Sequence, residues 1–292
     1  MFRHIVAAVD GSVASQKALD RALVLAAKVG ASLDIVSVEE ELPHYLSRKA
    51  ELTANQSDAE RYYGQLHAEA VVRAAQLGVT TTTKIIAGHE VYAIVQYVRE
   101  RAADLLVIGA IGHSAVWSIF LGSTADKLVA HSPTSILVVH PNDIGQFYRE
   151  LVVGVDGSPA GEYALTLALE LGRAFSGKVR GVTVAEQDVP LAPGRRPPDS
   201  DTITQIQARA RSIADAAGLS LELATRHGHA GSAVVQYANE VDADLIVVGA
   251  TGTERPGSET SGGTARRIAN EGHCSVLLAR PPQPNVSTPV KT

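Results

Sequence analysis

The sequence predicts an α/β fold of two tandem, doubly wound domains, each built on a five-stranded parallel sheet, and three observations lead to it. Short β-branched runs alternate with runs of helical period along the chain, a pattern that favours parallel strands joined by right-handed crossovers. The same order of elements begins again at Leu151. With 292 residues, 45% of them apolar, the chain is long enough for two domains that each bury a core.

The first half opens with a β-branched run, His4 to Val9, that leads into Asp10-Gly11-Ser12. Ser12 is a suitable N-cap for the first helix, which is expected to stop at Gly30. Next come a second strand, a polar loop, a helix, a third strand, a helix, a fourth strand, a helix and a fifth strand. Their predicted bounds are, in that order, 33–38, 39–56, 57–77, 80–86, 90–102, 104–108, 123–131 and 135–140.

The second half repeats this order of strands and helices. Leu151 to Ser158 reproduces the first strand and its turn, and Pro159 is suited to the first turn of the helix that follows. Further strands are predicted at 179–184, 219–224, 244–248 and 275–279. The domains are therefore expected to span residues 1–141 and 150–281, with 142–149 as a linker and 282–292 as a disordered tail.

Composition narrows the functional classes. A net charge of −5 argues against a protein that binds nucleic acid, because that affinity comes from clustered lysines and arginines. The apolar stretches are far shorter than a membrane span requires. The single cysteine, Cys274, excludes an internal disulfide and fits a cytoplasmic location, and we expect it to be packed and inert.

Two glycine-rich stretches lie where a parallel α/β sheet binds ligands. In the first half a buried strand is followed by Gly109-Ala110-Ile111-Gly112 and Gly122-Ser123-Thr124, where a helix begins. The free amides and the dipole of a helix start favour an anion. With strand order 3-2-1-4-5, Asp10 and Gly109 would meet at the crevice where the order reverses. The second half carries the equivalent residues Gly249, Gly252, Gly262, Gly263 and Thr264.

The spacing Gly109-x2-Gly112-x9-Gly122-Ser123, together with Val9-Asp10-Gly11-Ser12, resembles the pattern of the universal stress proteins of the ATP-binding type. The resemblance covers both halves, so the chain is similar to a tandem universal stress protein. It implies a Rossmann-like, adenine nucleotide alpha hydrolase-like fold, bound ATP with or without Mg²⁺, and a regulatory role in the stress response.

The same resemblance implies specific ligand contacts. By position, Asp10 and Val38 would hold the adenosine in the first half, and Asp156 and Val184 would hold it in the second. The ribose and phosphates would be held in the first half by Gly109, Gly112, Gly122, Ser123 and Thr124. The corresponding residues of the second half are Gly249, Gly252, Gly262, Gly263 and Thr264.

The two loops differ in ways that predict unequal sites. Gly263 stands where the first half has Ser123, which removes a hydroxyl. The first loop carries apolar residues within 116–121, whereas 253–261 is polar and includes Glu254 and Glu259. A polar loop must be ordered mainly by ligand contacts, which costs entropy. We therefore expect the first half to bind ATP more tightly, although Arg266 and Arg267 are expected to offset the acidic charge of the second loop.

Several roles stay open at this point. Asp10 is equally suited to accept hydrogen bonds in a turn, and Ser123 and Thr124 to cap a helix. No catalytic residue and no metal site are predicted, with His227-Gly228-His229, expected after the third strand, as the nearest approach to a metal motif. A slow adenine-nucleotide hydrolase is an alternative, and Asp126 is then the acid nearest the phosphates.

A protein-interaction scaffold stabilised by nucleotide is the remaining alternative. The final strands, 136–139 and 276–279, are expected to pair with each other and to make the chain an internal pseudo-dimer. A further homodimer of the whole chain and a regulatory protein partner of unknown identity complete the expected partners.

Overall fold

The computed structural model describes residues 1–39, 49–112, 121–141, 143, 148–186, 199–251 and 262–282, with the backbone alone for 49–59. The first half contains β1 (His4–Ala8), α1 (Val13–Val29), β2 (Ser32–Glu39), α2 (Lys49–Gln76), β3 (Thr81–Ala87), α3 (Glu90–Glu100), β4 (Leu105–Gly109), α4 (Ser123–His131) and β5 (Ser135–Val139). The second half contains β6 (Glu150–Gly154), α5 (Pro159–Phe175), β7 (Lys178–Ala185), α6 (Ser200–Ala216), β8 (Glu222–His227), α7 (Ala230–Glu240), β9 (Leu245–Gly249), α8 (Gly263–Glu271) and β10 (Ser275–Ala279).

The strands form one ten-stranded sheet in the order β3-β2-β1-β4-β5-β10-β9-β6-β7-β8. Each half has the predicted order 3-2-1-4-5, and the strands within each half are parallel. The halves join where β5 and β10 pair antiparallel, with Leu137 opposite Leu277. The expected pairing of the final strands is thus present, and it merges the two predicted sheets into one.

Helices cover both faces of the sheet because successive side chains of a strand point to opposite sides. One buried cluster packs α1, α2, α5 and α6 against residues such as Ile5 and Leu137. The other packs α3, α4, α7 and α8 against residues such as Val6 and Ile136. Both clusters run through both halves, so the core is continuous across the junction.

The first helix of each half begins as the sequence predicts. The Ser12 hydroxyl accepts a hydrogen bond from the amide of Ser15, and Gly30 ends α1 in the left-handed conformation with φ 72°. In the second half, Ser158 caps α5 by accepting from Gly161 N at 3.0 Å, and Pro159 lies in the first turn. Local sequence signals therefore decide both helix starts.

Two predicted boundaries are wrong. The loop predicted at 39–56 overlaps α2, which begins at Lys49, because residues 49–56 contain good helix formers and neither glycine nor proline. The strand predicted at 219–224 is β8 and begins at Glu222. The amide of Leu219 bonds to Ala214 O at 3.0 Å, so this residue closes α6 and is not free to start the strand.

A buried charge cluster holds the connection between the halves. Asp143, in the predicted linker, contacts the Arg21 guanidinium, and both side chains are almost fully buried. Lys17 of α1 donates to Asp143 O at 3.0 Å, and Ser275 of β10 donates to the Asp143 carboxylate. Asp143 is thereby bonded to elements of both halves.

Candidate functional site

The candidate site lies beyond the carboxyl ends of β1 and β4. Ile5 of β1 is paired with Leu33 on one side and with Leu105 on the other, so the strand order reverses here. A Cβ built on Gly112 would lie 2.9 Å from Asp10 Oδ2. The structure thus brings Asp10 and the first glycine stretch together at the switch point, where parallel sheets form ligand crevices.

Gly109 and Gly249 are required for packing. A Cβ on Gly109 would lie 2.7 Å from the carbonyl carbon of Ala14, and one on Gly249 would lie 2.8 Å from that of Ala160. Both distances are shorter than van der Waals contact, and the atoms they meet are rigid backbone. Each glycine therefore lets the first helix of its half approach the end of the fourth strand. A direct ligand contact at either glycine stays a prediction.

Asp10 and Asp156 each accept the same kind of hydrogen bond within their own half. Oδ1 of Asp10 accepts from Ser12 N, and Oδ1 of Asp156 accepts from Ser158 N, each at 2.9 Å. The turn-acceptor role weighed from the sequence is therefore present in both halves. It does not exclude a ligand role, because Asp10 Oδ2 points towards Gly112.

The carboxylates differ in their surroundings. Asp156 is exposed and also accepts from the Ser158 hydroxyl at 2.7 Å, and a Cβ on Gly161 would overlap its Oδ1. In the first half Ser15 stands at the position of Gly161, and its hydroxyl accepts from Gly11 N at 3.1 Å. Ser15 thus occupies the space over the helix start, and the half-buried Asp10 carboxylate is directed to the glycine stretch instead.

The helix starts of the two halves have the same backbone. The amide of Gly122 donates to Ala110 O, and that of Gly262 donates to Ala250 O, each at 2.8 Å. Both glycines are extended N-caps, and the first turns of α4 and α8 follow. Gly263 is exposed, and a Cβ there would meet nothing within 4 Å. Each half therefore presents a helix start of the kind that binds anions, with open space in front of the second.

Thr124 differs from the sequence expectation in one respect. Its hydroxyl donates to Glu90 Oε2 at 2.7 Å, so a carboxylate of α3 lies beside the first helix start. The equivalent threonine, Thr264, faces a different environment because Ala230 occupies the position of Glu90. A ligand that uses the Thr124 hydroxyl must displace Glu90 from it.

Three further residues of the predicted sites are Val38, Val184 and Gly252. Val38 and Val184 are half-buried near the carboxyl ends of β2 and β7, beside the first strand of each half. The contact of a backbone group there with an adenosine stays a prediction. Gly252 lies outside the described residues.

Asp126, the acid weighed for hydrolysis, is engaged in an ion pair across the junction. Arg266 Nη2 lies 2.7 Å from Asp126 Oδ1 and 2.6 Å from Oδ2. Arg267 pairs with Glu271 at 2.9 Å within α8. Both arginines thus have a carboxylate partner among the described residues. Their effect on the charge of the second loop stays a prediction, because Glu254 and Glu259 lie outside the described residues.

Sequence reasoning missed an aromatic wall on α2. The Tyr62 hydroxyl lies against Gly11, where a Cβ would overlap it, and the rings of Tyr62 and Tyr63 meet edge to face at 5.3 Å. Burial raises the pKa of Tyr63, and the nearby carboxylates of Asp10 and Glu90 raise it further. The phenol of Tyr63 is thus close to the acidic side of the site.

One turn further along α2, His67 is buried and its Nε2 lies 2.9 Å from the hydroxyl of Ser37. Burial lowers the pKa of His67, which favours the neutral ring. The spacing of Tyr63 and His67 on one helix face was the signal available in the sequence. The second half has Ile203 and Gln207 at the corresponding positions before the glycine that follows the helix.

Among the described residues, no three histidine, cysteine, aspartate or glutamate side chains cluster as a metal site. His227 is the last residue of β8 and not a loop residue after it, and His229 is the N-cap of α7. Cys274 is packed in the core, as expected, and burial raises the pKa of its thiol to about 12, while its inertness stays a prediction. None of the helices described here is long and apolar enough to span a membrane.

The comparisons with known proteins all point to one family. The model of the universal stress protein family matches residues 1–140 and again residues 147–280. A Thermus aquaticus universal stress protein is 35% identical over 143 residues, which are 48% of this chain and 99% of the relative. A Mycobacterium tuberculosis H37Rv universal stress protein is 31% identical over 145 residues, which are 48% of this chain and 97% of the relative.

Solved structures agree on the fold. The crystal structure of a universal stress protein from Archaeoglobus fulgidus matches 95% of this chain and 98% of its own, with a TM-score of 0.74 and 18% identity. A putative universal stress protein from Pseudomonas aeruginosa matches 96% of this chain and 94% of its own, with a TM-score of 0.64 and 16% identity. At these identities the likeness concerns the architecture alone.

Proposed function

Since the chain belongs to the universal stress protein family and carries two of its domains in tandem, we propose that it is an ATP-binding regulator of the stress response, acting in the cytoplasm. One nucleotide binds in each half, and the first half binds it more tightly. The observation that carries the proposal is Asp10, whose Oδ2 faces Gly112 beside the start of α4.

The chemistry of this crevice suits an adenine nucleotide. A carboxylate accepts hydrogen bonds from a ribose hydroxyl or an exocyclic amine. Amides at a helix start donate hydrogen bonds to phosphate oxygens. Val38 supplies backbone groups at the edge of the crevice, and Tyr63 supplies an aromatic surface. The ligand would extend from this polar and aromatic end towards Gly122, Ser123 and Thr124.

Glu90 makes the first site dependent on a cation. Its carboxylate holds the Thr124 hydroxyl at 2.7 Å and would repel a triphosphate at the same helix start. Mg²⁺ bound with ATP reduces this repulsion, because it neutralises phosphate charge. The second half has Ala230 at this position, so its affinity depends less on Mg²⁺.

The difference in affinity rests on preorganisation. In the first half, the Ser12 hydroxyl donates to Ile111 O at 3.4 Å, and the Asp10 carboxylate already faces the glycine stretch. In the second, the Ser158 hydroxyl and the Asp156 carboxylate bond to each other at 2.7 Å. This contact and the one from Ser158 N both fall on Oδ1 and hold the carboxylate over the start of α5, and any reorientation towards a ligand lowers affinity.

A binding role is favoured over hydrolysis by the partner of Asp126. Arg266 contacts both carboxylate oxygens of Asp126, so a water molecule would have to compete with the arginine to reach this acid. The β5–β10 sheet makes the pair of domains a single body to which a regulatory protein or a second copy of the chain would bind.

The proposal is tested by purifying the protein without added nucleotide, denaturing it, and identifying the released small molecules by chromatography and mass spectrometry. Calorimetric titration with ATP and with AMP, each with and without Mg²⁺, then gives stoichiometry and preference. We expect ATP to bind with unequal affinities at two sites and no sustained release of phosphate. No nucleotide binding in either experiment contradicts the proposal, and steady phosphate release supports the hydrolase instead.

A further inference from the structure

The end of the first glycine-rich loop is held by a residue of the other half. The amide of Leu121 donates to Asn270 Oδ1 at 3.0 Å, and Leu121 itself is buried. The next amide, Gly122 N, donates to Ala110 O at 2.8 Å. Two consecutive amides in front of α4 are therefore fixed, one by an acceptor of the second half and one by an acceptor of the first half.

The first half has no asparagine at the position equivalent to Asn270. Asn270 and Ala130 occupy equivalent positions, since each follows the helix start glycine and precedes the final strand at the same spacing. The alanine side chain has no hydrogen-bonding atom. The side chain at this position thus supports the first loop and gives nothing to the second.

The helix that carries Asn270 is itself tied to the first half. Arg266 lies one turn before Asn270 on the same helix face and bonds to both carboxylate oxygens of Asp126 in α4. On the other side, His140 Nε2 lies 3.0 Å from Ala269 O. These contacts hold α8 at a fixed distance from the first loop, so the Asn270 amide group reaches Leu121 without a flexible segment between them.

We propose that Asn270 is a positioning residue for the nucleotide site of the first half, which is therefore incomplete without the second half. The inference rests on the proposed function. Asn270 touches no ligand and acts through Leu121. The fixed amide of Leu121 holds the backbone that leads into Gly122, Ser123 and Thr124. A preset helix start loses less conformational freedom on binding than a free one.

The test compares Asn270→Ala with the wild-type protein and with Asn239→Ala, the same change at an exposed position near the end of α7. Affinity is measured for each half separately, by photo-crosslinking with azido-ATP across a titration and mapping of the labelled peptides. We expect Asn270→Ala to weaken binding in the first half about threefold to tenfold, as expected for one hydrogen bond. Binding in the second half and in the Asn239→Ala variant should not change.

Hydrogen exchange supplies a readout that needs no nucleotide. In the ligand-free protein the Leu121 amide should exchange faster in Asn270→Ala, whereas amides of the central strands should keep their protection. Asn270→Leu, which keeps the side-chain volume and also lacks the acceptor, should give the same two results and covers the case in which the alanine variant is poorly folded.

The outcomes separate the two proposals. If the wild-type protein binds ATP and both Asn270 variants bind it in the first half as the wild type does, the positioning role is wrong and the proposed function stands. Unchanged exchange at Leu121 also overturns the positioning role. If the wild-type protein binds no nucleotide at all, both proposals fail together.

Discussion

The two halves keep the same backbone and differ in the charges placed on it. Asp34 of β2 and Arg180 of β7 occupy equivalent positions, opposite Val6 and Val152 of the first strands. The Asp34 carboxylate accepts from Tyr97 at 3.0 Å and from Arg101 at 2.8 Å. Arg180 instead donates to Glu150 at 2.9 Å. A cluster built around an acid in one half is built around a base in the other.

The features that the halves share are those that the backbone demands. Gly11 and Gly157 both have positive φ, at 86° and 74°, and Gly109 and Gly249 both pack against the first helix. The features that differ are side-chain networks, which have several solutions on one backbone. The two halves therefore share the backbone of the cradle and differ in its side-chain chemistry, which is why we expect two sites of one shape and unequal affinity.

The largest expected effect concerns the charge reversal. Asp34 is only 3% exposed, so Asp34→Ala leaves Arg101, His4 and Tyr97 without their shared acceptor. We expect the free energy of unfolding to fall by about 1.5–3 kcal/mol, the range for hydrogen bonds to a charged group, because Asp34 is buried while Arg101 is 46% exposed. Arg180→Met should cost less, because its partner Glu222 is 54% exposed. Urea denaturation of both variants measures the difference, and equal losses would break the comparison.

The same contrast predicts a response to acid. Burial alone would raise the pKa of Asp34, but the hydrogen bonds from Thr82, Arg101, Tyr97 and His4 outweigh it and hold the pKa below its usual value. A lowered pKa in the folded state gives stability that is present above the pKa of the unfolded chain and is lost as pH falls towards the folded-state value. Urea titrations at decreasing pH below about 4 should show a steeper loss of stability in the wild type than in Asp34→Asn, which keeps the other carboxylates of lowered pKa.

The next effect tests what the halves share. Gly109→Ala and Gly249→Ala each force a Cβ into backbone of the neighbouring helix, and we expect each to reduce the free energy of unfolding by about 1–3 kcal/mol. Gly263→Ala is the matched control, since a Cβ there meets nothing within 4 Å. A large loss at only one of the two packing glycines would show that the cradles are not equivalent in shape.

A smaller effect is expected from the aspartates. Asp10→Ala should weaken ATP binding in the first half about tenfold, since it removes the carboxylate that faces Gly112, and Asp156→Ala should weaken binding in the second half less. Crosslinking with azido-ATP and peptide mapping measures each half separately. Equal losses would mean that the different orientations of the two carboxylates have no consequence for binding.

The smallest effect sharpens the comparison at Glu90. Glu90→Ala copies the second half, where Ala230 stands, and removes a negative charge beside the first helix start. ATP binding without Mg²⁺ should become severalfold tighter in the first half, with little change when Mg²⁺ is present. Glu100→Ala, at the exposed end of the same helix, is the control. Weaker binding in Glu90→Ala would instead make Glu90 a contributor to the site.

Most of the fold was predictable because its signals are local. Capping serines, helix-ending glycines and apolar strands indicate the elements, and their alternation indicates parallel doubly wound sheets. The order 3-2-1-4-5 within each half was a hypothesis, which the structure confirms. The start of α2 was predicted too late because its residues are polar and resemble a loop. The start of β8 was predicted too early because Leu219 is apolar but closes the helix before it. The merger into one sheet followed from the matching final strands.

The site was predictable only as far as the backbone determines it. The meeting of Asp10 with Gly112 followed from topology. The partners of Thr124, Asp126 and Leu121 did not, because Glu90, Arg266 and Asn270 reach them from distant parts of the chain. Such contacts depend on the packing of α3 and α8, which no local pattern in the sequence reports.

The most direct test of unequal sites is hydrogen exchange at the two helix starts during an ATP titration of the wild-type protein. Peptides that contain Ser123 and Thr124 report on the first half, and peptides that contain Gly263 and Thr264 report on the second. We predict that protection appears in both, at a lower ATP concentration in the first. Protection at the same concentration in both, or at a lower concentration in the second, would contradict the account.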